Sequence, residues 1–158
     1  MAIIVEDGSI VSGANSYSSE AQLAAYAADR GVTVSGVAAE LLIRAMDYIE
    51  KQNFKGGKYT SGQNLQWPRI NVVIDGFAID NSTIPVLLID AQIETALSID
   101  SGSDPSAEVG RAVKRKKTGP LETEYMDSSS ETVRHTAING KLSKLTNSFG
   151  PTVSLVRV

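Results

Sequence analysis

Residues 85–100 carry apolar side chains on almost every side of a predicted helix, and this segment constrains the fold most. Its apolar residues are Val86, Leu87, Leu88, Ile89, Ile93, Ala96 and Leu97. Since proline suits the first position of a helix, we expect the helix to begin at Pro85 and to run to about Asp100. A helix with so little polar surface needs neighbours on several sides. The segment therefore predicts the central helix of a bundle.

Two earlier segments have the periodicity of amphipathic helices. Residues 19–22 read Ser-Glu-Ala-Gln, the spacing of a capping box, and Gly31 suits the position after the helix end. In the second segment Ser35 is the expected cap, and we expect the helix to continue through Gln52. The apolar stripe of that helix consists of Val37, Leu41, Ala45, Tyr48 and Ile49. The two segments add two helices to the bundle.

Residues 53–82 are punctuated by glycine and proline and predict a long, mostly irregular loop, with a brief strand at residues 72–74. A loop of this length in a compact domain is usually functional or disordered. Trp67, the single tryptophan, stands beside Pro68. We interpret Trp67 as a structural anchor that packs on the helices, in preference to a base-stacking residue.

The C-terminal third of the chain reverses the sign of the charge. Residues 1–110 hold 14 acidic and 6 basic side chains, whereas residues 111–158 hold 4 acidic and 9 basic ones. Alternating residues around Gly119-Pro120 predict a β-hairpin in which a basic strand lies beside an acidic one. Opposite charges that face each other across strands contribute on the order of 0.2–1 kcal/mol per pair. The candidate contacts with a partner or with DNA are Arg111, Lys114, Arg115, Lys116 and Lys117.

Residues 128–158 have a weaker apolar pattern that predicts a C-terminal arm. A short helix is indicated near residues 142–149, and residues 152–158 favour a β-strand without a partner in the chain. Such a segment can add to the sheet of a neighbour when it docks. The candidate binding residues of the arm are Leu142, Leu145, Phe149, Val153, Leu155 and Val156. We accordingly expect a chain truncated after Asp127 to remain folded.

The predicted fold is a mainly α, small bundle of three to four helices with a long loop, a β-hairpin and an extended C-terminal arm. Residues 1–104 form the helical body, which includes the loop at 53–82. Residues 105–127 form a projecting hairpin, and residues 128–158 form the arm.

Side chains that mark an enzyme are scarce. The chain has no cysteine, and its single histidine, His135, lies in a Ser/Thr-rich stretch that predicts a surface position. Asp90 and Glu94 are spaced for one helix face, but no further ligand stands near them, so a solvated face is favoured over a metal site. We expect no catalytic residue, no metal and no cofactor. No signal peptide and no membrane partner are indicated, which fits synthesis in the cytosol.

Several blocks of residues, taken in order, resemble a known family. They are Asp7-Gly8, Ala14-Asn15-Ser16-Tyr17, Tyr26, Arg30-Gly31, Ala45, Tyr48-Ile49, Gly56, Leu65-Gln66-Trp67-Pro68-Arg69, Ile84-Pro85, Ala91, Glu94, Ala96, Val113-Lys114, Lys117-Thr118-Gly119-Pro120 and Glu122 to Tyr125. The family comprises tailed-phage and prophage proteins labelled DnaT-like single-stranded-DNA-binding proteins, which also resemble head–tail connector adaptors. The resemblance covers residues 3–126, and residues after Asp127 depart from it.

The resemblance implies a virion protein that forms a ring of about twelve subunits between portal and tail. Its partners would be further copies of the chain, the portal protein, a tail or stopper protein, and double-stranded DNA that passes through the channel without sequence-specific binding. Mapped by position, the hairpin and the loop would project, and the arm would bind the portal. The alternative is a single-stranded-DNA-binding or replication-related protein. A third hypothesis is an enzyme built on Asp90 and Glu94.

Overall fold

The computed structural model describes residues 2–106, 113–117, 122–125 and 135–147. Over these residues the chain forms four helices: α1 (Glu20–Asp29), α2 (Ala38–Ile49), α3 (Val86–Asp100) and α4 (Thr136–Leu145). The predicted mainly helical small domain is confirmed. None of these helices combines the length and the apolar composition that crossing a bilayer requires.

The apolar helix α3 occupies the centre of the bundle, where it packs against both α2 and α4. Two clusters of buried side chains meet on it. One joins α3 to α4 and to the loop, and its largest members include Trp67, Phe54, Leu88, Leu142 and Leu145. The other joins α3 to α1 and α2, and includes Leu23, Leu41, Leu42, Ile93 and Ile99. The burial of α3 on two sides is what its apolar sequence predicts.

The helix ends follow the local sequence only in part. In α1 the capping box is formed, because Ser19 Oγ accepts from the Gln22 amide at 3.2 Å and Gln22 Oε1 accepts from the Ser19 amide at 2.8 Å. The expected Ser35 cap on α2 is wrong: the helix begins after Val37, without a side-chain cap. Instead Asp100, at the end of α3, accepts from the Ser35 amide at 2.9 Å. The Asp100 carboxylate thus holds the residues that precede α2, while no side chain caps the helix itself.

Two helix boundaries also shift. α2 ends at Ile49 rather than Gln52, and α3 begins at Val86 because Pro85 has extended backbone angles and serves as the N-cap. These shifts do not change the packing.

The segment predicted as an irregular loop holds two short antiparallel ladders. Strand β1 (Gly57–Lys58) pairs with β2 (Arg69–Ile70), and β3 (Val73–Ile74) pairs with β4 (Phe77–Ala78). The β3–β4 turn is Asp75-Gly76, whose φ angles of 51° and 88° are those of a two-residue hairpin turn. The β1–β2 ladder requires glycine at position 56, because a Cβ there would lie 2.1 Å from the Ile70 carbonyl oxygen.

Candidate functional site

The basic run lies on a β-hairpin, as predicted. Strand β5 (Val113–Lys117) pairs antiparallel with β6 (Glu122–Tyr125). The register places Arg115 opposite Glu124 and Lys117 opposite Glu122, so acidic residues face part of the basic strand. Of the predicted contact residues, β5 contains Lys114, Arg115, Lys116 and Lys117. The remaining one, Arg111, lies outside the described residues.

Most basic side chains of the helical body have partners inside the molecule. Lys55 Nζ donates to the Lys144 carbonyl oxygen at 2.8 Å, and Lys144 Nζ lies 2.8 Å from Asp75 Oδ2. Arg44 pairs with Asp104 at 2.9 Å. A nucleic-acid phosphate would have to compete with these partners for the same cations. The described part of the body therefore offers little uncompensated positive charge.

Arg69 is the clearest case of a cation used internally. Its guanidinium donates to the carbonyl oxygens of Lys55 at 2.7 Å and Gly56 at 2.9 Å, and to Gln66 Oε1 at 2.9 Å. Burial lowers the pKa of Arg69, while the nearby Tyr17 and Glu50 oppose that change. A guanidinium that spends its donors on backbone carbonyls holds a loop in shape and is not presented to a ligand.

A buried network joins the two sequence blocks that carry the family resemblance. The Tyr17 hydroxyl donates to Glu50 Oε1 at 2.6 Å and accepts from the Trp67 amide at 3.1 Å. The other oxygen of Glu50 accepts from the Gln66 amide at 2.9 Å. Burial raises the pKa of Glu50, although both hydrogen bonds act in the opposite direction. The residues around Asn15-Ser16-Tyr17 thus hold the Trp-Pro loop in place.

Trp67 is fully buried and packs edge-on against Phe54, with ring centroids 6.0 Å apart. Its indole Nε1 has no hydrogen-bond partner among the described residues. A tryptophan with no exposed face cannot stack on a base. The structure therefore gives Trp67 the position of an anchor.

The acidic pair on α3 belongs to a cluster that the sequence did not reveal. Lys141 of α4 places its Nζ 2.9 Å from Glu94 Oε1, 3.2 Å from Asp90 Oδ2 and 2.9 Å from the Tyr26 hydroxyl. Tyr26 in turn donates to Glu94 Oε1 at 2.6 Å. Partial burial works against the charged ammonium, but the hydrogen bonds to Tyr26, Glu94 and Asp90 outweigh it and raise the pKa of Lys141.

This arrangement corrects the expectation of a solvated acidic face. The Lys141 cluster (Tyr26, Asp90, Glu94 and Lys141) is partly buried and ties α1, α3 and α4 together. Within the described ranges no group of three or more potential ligands is placed to hold a metal ion. The sequence spacing of Asp90 and Glu94 places them on one helix face. Only the tertiary structure brings Lys141 of α4 beside them.

His135 is half-buried at the start of α4, not exposed as expected. Its Nδ1 lies 3.1 Å from Ser98 Oγ, and the Ser98 hydroxyl donates to the Ser103 carbonyl at 2.6 Å. The contact links the N-terminal end of α4 to Ser98 of α3.

The predicted portal-binding residues fall into two groups. Leu142 and Leu145 are 3% and 0% exposed and belong to the core that α4 forms with α3, so their assignment to an arm is wrong. The short helix expected near residues 142–149 overlaps the observed helix, Thr136–Leu145, only in its last turn, and its contact partners lie elsewhere in the chain. The remaining predicted arm residues, Phe149, Val153, Leu155 and Val156, lie outside the described residues.

Two exposed aromatic side chains were not singled out by the sequence. Phe77 on β4 is 76% exposed and Tyr59, directly after β1, is 48% exposed. Both belong to the segment that reads as an irregular loop. The strands β1 and β4 are only two residues long. An alternation of apolar and polar residues that short does not reveal in the sequence which side chains face solvent.

A family model described as "Putative DnaT-like ssDNA binding protein" matches residues 1–158, the whole chain. No curated protein and no solved structure matches the chain significantly.

Proposed function

The chain belongs to this DnaT-like family, and from that premise we propose that it is a non-catalytic subunit of the head–tail connector of a tailed phage. Copies of the chain form a ring between the portal and the tail, and the ring extends the channel through which the genome passes. The protein is made in the host cytoplasm and ends up in the virion. Its partners are further copies of itself, the portal protein and a tail or stopper protein.

The observation that favours this role is the internal use of cations in the helical body. Arg69 is committed to backbone carbonyls and Lys141 to carboxylates, while Trp67 is buried. Proteins that hold single strands need a basic groove lined with exposed aromatic rings. A channel protein has the opposite requirement, since a genome that moves must not be held tightly. The described body suits the second requirement better.

The hairpin formed by β5 and β6 supports an assembly role. Its basic strand is faced in part by acidic residues, with Arg115 opposite Glu124. β5 holds four basic residues and β6 two acidic ones, and we assign the surplus charge to an adjoining subunit or to the DNA backbone, where it would act without reading sequence.

Purified virions provide the test. Quantitative mass spectrometry of density-purified particles is expected to find the chain at the copy number of the portal protein. In parallel, fluorescence anisotropy with a labelled single strand is expected to show no binding at physiological salt. Absence from the particles, together with tight binding whose affinity falls steeply with salt, would overturn the proposal.

A second candidate function follows from the family description, which names single-stranded DNA. The specific observation in its favour is the pair of exposed rings, Tyr59 and Phe77. If these rings stack on bases, Tyr59→Ala and Phe77→Ala should each weaken oligonucleotide binding on the order of tenfold, since stacking contributes about 1–3 kcal/mol per base. Val73→Ala, which removes exposed apolar surface from the same hairpin without removing a ring, is the matched control.

A further inference from the structure

The β3–β4 hairpin presents an apolar tip to solvent. Phe77 is 76% exposed and Val73 is 52% exposed, although Val73 lies between the buried Val72 and Ile74. The turn residue Asp75 places its carboxylate at the same tip, and 64% of that side chain is exposed. The tip therefore combines one large apolar ring with one exposed carboxylate, which also pairs with Lys144 at 2.8 Å.

An open groove of about 370 Å³ lies between α1, α3 and α4. Apolar side chains line most of it, among them Val32, Leu97 and Ala137. Val32 is 45% exposed, so this apolar surface is in contact with water. The groove is large enough for an aromatic side chain and has no occupant from the described residues of its own chain.

The groove also carries the charge that complements the tip. Arg30 lines it, with its guanidinium 3.3 Å from the centroid of the Tyr26 ring. Among the described lining residues the one acidic side chain, Glu94, is mostly buried and paired with Lys141 at 2.9 Å. The groove is therefore apolar with a positive edge. The tip is apolar with an acidic edge, because Asp75 stays 64% exposed although it pairs with Lys144, and an ion pair this exposed holds its partners weakly.

The tip cannot fill the groove of its own molecule while its salt bridge holds. Lys144, near the C-terminal end of α4, lies 2.8 Å from Asp75. Ala137 lines the groove seven positions earlier on the same helix, which corresponds to roughly 10 Å along the axis at about 1.5 Å per residue. The tip and the groove therefore lie at opposite ends of α4.

We propose that the β3–β4 hairpin of one copy of the chain inserts Phe77 into the groove between α1 and α4 of a second copy, with Asp75 facing Arg30. Because the tip and the groove are different surfaces, each copy offers one of each. A contact of this kind is heterologous, and repetition closes into a ring or continues as a filament. The inference rests on the proposed ring function and names the contact between its subunits.

Cysteine cross-linking tests the contact directly, since the chain has no cysteine of its own. One sample carries Ala78→Cys, an exposed position beside Phe77 that leaves the ring in place, and a second carries Ala137→Cys; the two are mixed under mild oxidation. The matched control replaces Ala137→Cys with Ala24→Cys, an exposed alanine of α1 that lies outside the groove lining. All three positions are exposed, so the substitutions leave the core intact.

The expected result is a disulfide-linked dimer that forms at least fivefold faster with Ala137→Cys than with Ala24→Cys. Equal rates for the two pairs would overturn the proposed contact. A chain that carries both Ala78→Cys and Ala137→Cys should form a ladder of covalent oligomers, whereas a double variant that closes only within one chain contradicts the exchange between copies.

Charge-reversal variants distinguish this contact from nonspecific association. Arg30→Asp and Asp75→Arg should each slow the cross-link severalfold, and the two reversals combined should restore it. If the doubly reversed pair cross-links more slowly than either single variant, Asp75 does not face Arg30. The virion measurement remains independent: a portal-like copy number without this cross-link would refute the contact and leave the connector role standing.

Discussion

Removal of α4 tests whether the C-terminal third belongs to the core. The sequence suggested that a chain truncated after Asp127 would remain folded, with an arm removed. In the structure, α4 packs on α3 and also covers the loop, since the Lys55 amide donates to the Leu145 carbonyl at 2.9 Å. The structure therefore predicts that the same truncation unfolds the body.

The magnitude follows from the side chains that α4 buries. Ile138, Leu142 and Leu145 are 3%, 3% and 0% exposed. At about 1.5–3 kcal/mol for each buried aliphatic side chain, their loss removes about 5–9 kcal/mol. Whole domains are stable by only about 5–15 kcal/mol. The truncation also breaks the Lys141 cluster, so most or all of the folding free energy should disappear.

Urea unfolding followed by far-ultraviolet circular dichroism measures the effect. The chain truncated after Asp127 should show no cooperative transition, and its helical signal should fall by more than the loss of α4 alone. A chain truncated after Asn147 keeps all described residues of α4 and should unfold at the same urea concentration as the full chain. A cooperative transition of the shorter chain near that of the full chain would refute the placement of α4 in the core.

Three other predictions concern the polar networks. Tyr17→Phe leaves the Trp67 amide and the Glu50 carboxylate without their shared partner, so it should lower the unfolding free energy by about 2–4 kcal/mol in urea titrations. Lys141→Met should lower the unfolding free energy by about 2 kcal/mol in the same titrations. Lys144→Met, which removes an exposed ion pair, should lower it by less than about 0.5 kcal/mol. Equal losses for the two variants would contradict the importance of the Lys141 cluster. Because the fold raises the pKa of Lys141 above 10.5, its contribution to stability should be complete below pH 10.5 and decline above it, and Lys141→Met should show a shallower alkaline loss in thermal melts.

The sequence was most informative where a structure depends on neighbours within a few residues. The capping box at Ser19 formed because its two partners are three residues apart. The apolar α3 became the central helix, and the alternation of Glu122 and Glu124 with their neighbours after Gly119-Pro120 predicted the hairpin. Capping, helical periodicity and strand alternation are local, so their spacing can be read directly from the chain.

The sequence was least informative for contacts between distant segments. Asp100 accepts from the Ser35 amide from 65 residues away, and Lys141 reaches Asp90 across 51 residues. No spacing rule connects such pairs, because their proximity is created only when the helices pack. The same reason explains why Leu142 and Leu145 were assigned to an arm: their periodicity indicated a helix without indicating its partner.

The sequence by itself therefore determined that this chain is mainly helical, that its central helix is apolar, and that a basic strand lies on a hairpin. The tertiary structure decided how those pieces are used. It joined Tyr17 to both Glu50 and the Trp67 amide, placed α4 in the core, and left an exposed Phe77 and an open groove at opposite ends of one helix. Local propensity specifies elements, whereas burial and charge pairing among distant residues specify which surfaces remain for a partner.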